Sequence, residues 1–564
     1  METCSNRPLP HLRAPTLDHE PHPPPRRASR SAARGAGAYR RRRARVLLRR
    51  AGGALRPRGR AVPEHRRPDA RRHGARRALT RGDTVLVAQP FSARLYVVLG
   101  GVLRAGLTAM LPDPSADRER LAECCRQCPP DAFVGPPKAH LLRLLVPAVR
   151  RIPRAFVTGR WPVPGATRLR TDRGEAAPVT DCDADTPALL TFTSGSTGAP
   201  KAVARTHGLL NHQYRALRNA LDLRAGQTDL VTLPVFALAN LAAGVTSVLP
   251  DTDWPDGFDA APVLAQLRRE RPDRLAASPA FAERLLAAPG GTETLASVER
   301  IALGGAPVPP AFLQRLRDDA PAGAERTAVY GSTEAEPIAH VAASRVSDAD
   351  RAATRAGGGL LVGTPVEEVA VRIRPDRWGT PIGPFSEEGF EEETLPPGEA
   401  GEIVVRGAHV VPSYRDGRGD AEAKFDVDGA RWHRTGDAGR FDENGRLWLL
   451  GRCGAKVEDE RGRCYPLSVT AAARTVDGVR RAAFTAHRGR RVLVVETDGP
   501  NGTSCAALRR LLRERLSWAT LNAVHFTDAL PTDRRHDAKV DYPALRRLLD
   551  DSFDEAFDEQ PISA

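Results

Sequence analysis

Long apolar runs are missing from this sequence, and no window approaches the roughly 18 to 20 uninterrupted apolar residues that a membrane-spanning helix needs. No apolar stretch follows the N-terminal charges either. We therefore expect no membrane span and no secretory leader, and a soluble cytoplasmic protein. Cysteine is sparse, eight in 564 residues. Only Cys124, Cys125 and Cys128 cluster, without a second CxxC or a nearby His pair to complete a metal site, so reduced structural thiols are expected. Lysine is scarcer still, five residues against 79 arginines, the ratio that very G+C-rich coding DNA produces.

The formal charge of +15 would ordinarily point to nucleic acid or an anionic surface. Its location changes that inference. Residues 1–80 hold 22 Arg, no Lys and five acidic residues, a net of +17, and the remainder sums to −2. Runs such as PHPPPRRASR, YRRRRARVLLRR and HRRPDARRHGARR show little helical or strand periodicity. Apart from Tyr39 they carry no aromatic residue for base stacking, so no specific nucleic-acid partner is expected. We set residues 1–80 apart as an Arg/Pro-rich segment, either disordered or the product of a shifted reading frame, which in such DNA yields Arg, Pro, Ala, Gly and His.

Order begins near Arg81. The stretch RGDTVLVAQPFSARLYVVLGGVLRAGLTAML gives a strand (Thr84–Ala88), a helical apolar pattern (Phe91–Ala105), a Gly turn and a second strand (Leu107–Leu111), a βαβ unit. Alternation continues through strands expected at Ala132–Val134, Arg154–Val157, Ala188–Phe192, Asp229–Leu233, Arg274–Ala277 and Arg300–Leu303. The fold class is α/β, with parallel or mixed sheets flanked by helices. The length suffices for two or three domains.

The segment LLTFTSGSTGAPKAVARTHGLL, residues 189–210, runs an apolar strand straight into a Thr/Ser/Gly loop that ends in one of the five lysines. Physically it is a phosphate cradle. Gly195 and Gly198 let backbone N–H groups converge on an anion, Thr193, Ser194, Ser196 and Thr197 add hydroxyl donors, and Lys201 adds charge. The GxxxxGK[ST] spacing of a Walker A loop is absent. The bland competitor, a polar surface turn, would not usually follow a buried strand so directly.

TSGSTGAPK (193–201) resembles the signature loop of the adenylate-forming superfamily of acyl-CoA ligases, luciferases and peptide-synthetase adenylation domains. The resemblance runs from about Arg81 to about Leu549, with further motifs in order. GGAP (304–307) is similar to a turn lining the adenine pocket, implying Gly305 and Ala306. YGSTEAEP (330–337) is similar to the segment whose Tyr stacks on adenine, implying Tyr330 with Gly331, Thr333 toward phosphate and Glu334 toward Mg²⁺, with Thr193 as a second metal contact. Glu336 reads instead as an ordinary rim charge. RTGDAGRFDENGRLWLLGR (434–452) resembles the ribose-binding and hinge segment, implying Asp437 and Arg452, although Asp437 alone would also suit a turn cap. Its DENGRL run reads independently as a hairpin with Asn444-Gly445 in a type I′ turn. LPTDRRHDAKVD (530–541) resembles the motif of the catalytic lysine, implying Lys539. His207 and His433 lie beside these motifs and read as structural residues.

The resemblance implies ATP and Mg²⁺ as cofactors, a small-molecule carboxylic acid as substrate, and an acyl-adenylate with release of pyrophosphate. Catalysis falls to Lys539, Thr333 and Glu334. It also implies a large domain, 81–452, and a small mobile α+β C-terminal lid, 453–564, turning about a hinge near Cys453–Ala455. Thioester-forming members usually carry a glycine past the hinge and then an acidic pair. Here GRCGAKVEDERGRCYPLSVTAAA (451–473) instead makes a hairpin turning at Glu460–Gly462 and puts Ser468 and Thr470 where acidic residues are expected. That pattern looks more like the olefin-pathway β-lactone synthetases, in which the substrate's own 3-hydroxyl captures the adenylate. Coenzyme A is the acceptor in the alternative, an ordinary fatty-acyl-CoA ligase. The apolar stretch VFALANLAAGV (235–245) is expected to shape the pocket for a fatty or 3-hydroxy-fatty chain. An inactive adenylate-fold relic and a basic-tailed RNA- or membrane-binding protein are the remaining readings.

Overall fold

The computed structural model describes residues 78–113, 116–170, 177–194, 200–252, 258–497, 505–532 and 540–552. The reading of residues 1–80 as a disordered or frame-shifted segment falls outside them, except for residues 78–80.

The first sheet has seven strands: β1 (Thr84–Val87), β2 (Thr108–Leu111), β3 (Ala132–Gly135), β4 (Arg154–Val157), β5 (Thr167–Arg168), β6 (Pro187–Ser194) and β7 (Pro200–Thr206). Their order is β5-β4-β3-β1-β2-β6-β7. All neighbours run parallel except β6 and β7, which pair antiparallel with Thr193 opposite Lys201. Parallel strands need crossovers, and the helices Ala93–Arg104 and Arg118–Gln127 supply them. The first buries Leu95, Val98, Leu99 and Val102. The second starts at Asp117, whose carboxylate accepts the Arg120 N–H at 2.8 Å.

The second sheet joins β8 (Thr228–Val231), β9 (Thr246–Val248), β10 (Arg274–Ala277), β11 (Arg300–Leu303), β12 (Glu325–Ser332), β13 (Ala335–Ala342), β14 (Leu360–Pro365), β15 (Val369–Arg374), β16 (Gly401–Gly407), β17 (Lys424–Val427), β18 (Ala430–Phe441) and β19 (Leu447–Arg452). The run β9-β8-β10-β11-β12 is parallel, and antiparallel pairing takes over from β13 onward. Strands buried on both faces read as continuous apolar runs, which is why Leu275, Ile301 and Leu303 sit in one core with Phe281 and Leu285.

The β18–β19 hairpin forms as expected, but not through a type I′ turn. Such a turn requires positive φ at both central residues, and here only Gly445 has it, at 69°. Asp442 decides the shape: its carboxylate accepts N–H groups from Asn444 at 3.0 Å and Arg446 at 2.9 Å, while its carbonyl accepts from Gly445 at 2.9 Å. An Asx side chain thus replaces the backbone twist that the Asn-Gly pair suggested.

Past the 3-10 turn Cys453–Ala455 lies a small domain with its own core around Val469, Phe484, Leu493 and Leu512. It holds the hairpin β20 (Val457–Asp459) and β21 (Gly462–Cys464), turning where the sequence placed it, and a three-stranded sheet of β22 (Val479–His487), β23 (Arg490–Thr497) and β24 (Ala523–Thr527). Arg491, buried, staples the two by bonding Asp459 at 2.6 Å and the Gly462 carbonyl at 2.6 Å. Toward the large domain, Arg474 pairs with Glu283 at 3.1 Å and the Trp518 ring lies flush on Gly357, where a Cβ would meet it at 2.5 Å.

Candidate active site

The strand β6 delivers Thr193 and Ser194 to its C-terminal edge, and β7 returns with Lys201. Gly195, Ser196, Thr197 and Gly198, between them, lie outside the described residues. Lys201 is buried, and its ammonium meets Glu422 at 2.9 Å and the face of the Tyr414 ring at 5.4 Å. Room for it comes from Gly419, at φ 93°, where any Cβ would fall 2.6 to 2.8 Å from the lysine chain.

The Tyr414 hydroxyl donates to Glu334 at 3.0 Å, so one ring connects the lysine to the acid. Glu334 is half-buried at the β12–β13 turn, and its backbone carbonyl accepts the Val411 N–H at 2.8 Å. Beneath lies Lys424, buried, with its ammonium on the Val411 carbonyl and 5.5 Å from the other partner, the Tyr414 ring. Burial pushes the Glu334 carboxyl up, but His433, Lys424 and the Tyr414 hydroxyl outweigh it and hold the carboxyl below its usual value. His433 is itself pushed down to about 3 by burial and by Lys424, so at neutral pH it faces Glu334 uncharged and Lys424 supplies the cationic share. Burial lowers Lys424 to about 8, against the opposing pull of Glu334.

A second tie crosses the site. Arg205 of β7 reaches Thr191 at 2.8 Å and the Thr333 carbonyl at 2.7 Å, locking the loop hairpin to the 330–334 turn. Gly331 permits that turn, since a Cβ there would stand 2.9 Å from the Ala335 carbonyl.

Asp437, buried on β18, faces Arg452 across the β18–β19 register. One carboxylate oxygen accepts the Tyr330 hydroxyl at 2.8 Å and the other pairs with the Arg452 guanidinium at 3.0 Å. Burial and the adjoining Asp437 raise the Tyr330 hydroxyl well above its ordinary pKa, so it stays a donor. Arg452 remains largely exposed at the connection to the small domain. Gly305 and Ala306 follow the end of β11, next to the strand that carries Tyr330. Lys456, just past the connection, pairs with Asp376 at 3.0 Å, which also accepts the Tyr465 hydroxyl at 3.0 Å.

Thr193, Lys201, Gly305, Ala306, Tyr330, Gly331, Thr333, Glu334 and Arg452 thus sit at or just beyond strand ends of the two large sheets, and Asp437 within β18; Lys539 lies outside the described residues. Sequence reasoning missed Arg205, Tyr414, Glu422 and Lys424. For Lys424 a signal existed, because it is one of only five lysines. Among the described residues no group of three His, Cys, Asp or Glu could hold a metal ion unaided. Mg²⁺ asks less: it takes one or two carboxylates and fills its shell with water and substrate phosphate, and an ionised, half-buried Glu334 fits that donor set.

The family described as AMP-binding enzyme matches residues 75–415. The chain is 35% identical over 477 residues to an olefin β-lactone synthetase of Stenotrophomonas maltophilia, covering 81% of this chain and 84% of the relative. It is 29% identical over 385 residues to a feruloyl-CoA synthase of an Amycolatopsis species, covering 64% of this chain and 72% of that one. Among solved structures its fold is similar to the amide bond synthetase McbA of Marinactinospora thermotolerans, with a TM-score of 0.69 at 22% identity, covering 91% and 94% of the two chains. ATP-bound MatB of Rhodopseudomonas palustris gives a TM-score of 0.67 at 21% identity, covering 84% and 90%. With that family match over more than half its length and a relative more than one-third identical across most of both chains, the protein belongs to the AMP-binding enzyme family and is an AMP-forming ligase.

Proposed function

We propose that the enzyme activates a fatty or 3-hydroxy-fatty acid as its acyl-adenylate and then closes a β-lactone. A substrate carboxylate oxygen attacks the α-phosphorus of ATP in line, and the bond to the β-phosphate breaks to release pyrophosphate. The 3-hydroxyl oxygen then attacks the acyl carbonyl, AMP leaves, and the hydroxyl proton passes to solvent or to a basic side chain. Two anions must be brought together and held, so positioning and charge neutralisation carry the catalysis.

The observation that carries this reading is the Lys201–Tyr414–Glu334 bridge, which sets a cation and an ionised carboxylate on one ring beside the phosphate loop. The 193–201 loop holds the β- and γ-phosphates, Asp437, held by Tyr330 and Arg452, takes the ribose, and Tyr330 with Gly305–Ala306 flanks the adenine. Lys539 is assigned to the reacting carboxylate and α-phosphate, on a lid that turns near Cys453–Ala455 and excludes water. Glu334, with Thr193, would hold Mg²⁺, which when bound supplies charge neutralisation of the phosphates.

ATP–pyrophosphate exchange over fatty, 3-hydroxy-fatty and aryl acids tests the first step, and no exchange with any acid would refute it. Product analysis with and without coenzyme A tests the second. A β-lactone independent of the thiol is expected; a thioester formed only when coenzyme A is present would return the enzyme to the acyl-CoA ligases, the reading that the feruloyl-CoA synthase likeness favours.

A further inference from the structure

At the C-terminal edge of the first sheet, two neighbouring segments expose large apolar side chains. After β3, the turn Pro137–Leu141 and the helix Leu142–Leu145 leave Leu141, Leu144 and Leu145 open to solvent at 52%, 72% and 49%. After β4, Trp161 is 76% exposed. The segments adjoin, since Arg143 reaches the Pro164 and Gly165 carbonyls at 3.5 Å and His140 reaches the Phe156 carbonyl at 3.2 Å. Within this stretch of the chain the charge has one sign. Residues 132–170 hold eight Lys and Arg and no Asp or Glu, and Lys138, Arg150, Arg151, Arg160 and Arg168 are all exposed.

We propose that this face docks the enzyme on an anionic lipid bilayer, with Leu144, Leu145 and Trp161 entering the headgroup boundary and the arginines meeting lipid phosphate. Exposed Leu and Trp rimmed by Arg is the composition that partitions to such an interface, and Trp in particular favours headgroup depth. Charge argues against the other occupants. Residues 1–77 are themselves strongly basic, and a second copy would bring two basic faces together. The position is also suited to delivery of an amphiphile. The patch shares the C-terminal edge with the end of β6, three strand spacings from β3 and four from β4, roughly 14 to 19 Å.

The test is co-sedimentation of the full chain with phosphatidylcholine vesicles, with and without phosphatidylglycerol, at physiological ionic strength. Because residues 1–77 add their own basic charge, apolar insertion is the deciding readout. The double variant Leu144→Ser/Leu145→Ser is expected to bind anionic vesicles roughly five- to tenfold more weakly, with exchange activity toward a short soluble acid unchanged. Brominated lipids should quench a tryptophan component that Trp161→Phe removes. Equal binding by the double variant, quenching indifferent to Trp161→Phe, or no vesicle binding alongside a dimer that the double variant loses would each overturn the proposal.

Discussion

Lys424 lies beneath Glu334 and Tyr414, on no motif, yet its charge helps hold the Glu334 carboxyl down from behind. Its pKa of about 8 is depressed, so the ammonium is present below that pH and lost as pH rises through it. Exchange activity should therefore fall on the alkaline side near pH 8. In Lys424→Arg the guanidinium keeps its charge, and the limb should move up by a unit or more; in Lys424→Met exchange at neutral pH should drop roughly tenfold, as expected for an acid left without a buried partner. An alkaline limb unmoved by arginine would remove Lys424 from the account. Tyr330 offers a gentler experiment. Tyr330→Phe deletes one hydrogen bond to Asp437, and a rise in KM for ATP of about two- to tenfold, with kcat little changed, is the expected cost of a freer carboxylate.

Among elements, the β6–β7 hairpin and the β12–β13 turn act together because Arg205 joins them. Arg205→Ala should lower exchange at least tenfold while destabilising the fold by about 1–3 kcal/mol, read from paired kinetics and denaturant melts. Loss of stability without loss of exchange would make Arg205 purely a packing residue. The strands themselves were legible in the sequence: Thr84–Val87, Arg154–Val157 and Arg300–Leu303 are short apolar runs between turn signals, and a local pattern suffices to find them. The ties were not. Arg205 to Thr333 spans 128 residues and Tyr414 to Glu334 spans 80, and nothing in local periodicity records which distant side chains the packing of two sheets brings together. The misread turn at 442–446 has the same character at short range, because the outcome depended on where the Asp442 carboxylate pointed.

For the whole molecule, the large and small domains meet along the helix Pro466–Ala473, which packs on β19 and on the helix Asp348–Arg355, and Gly357 is a tight point of that seam. With φ at 90° and the Trp518 ring where its Cβ would be, Gly357→Ala should push the small domain off this contact. Faster tryptic cleavage at the arginines between Arg452 and Arg463 would report it, and an unchanged digestion pattern would show that Trp518 is not a latch. The scarcity of lysine has a practical sequel. Lys201 and Lys424 are buried at the proposed phosphate site, Lys456 pairs with Asp376 at the interdomain connection and Lys138 stands exposed on the basic face, so an amine-selective acylating reagent meets almost no background and reaches Lys201 or Lys424 only when the site opens. Mass spectrometry of such labelling, with and without nucleotide, would chart the occupancy of each working part in a single digest, an assay that an ordinary lysine-rich ligase does not permit.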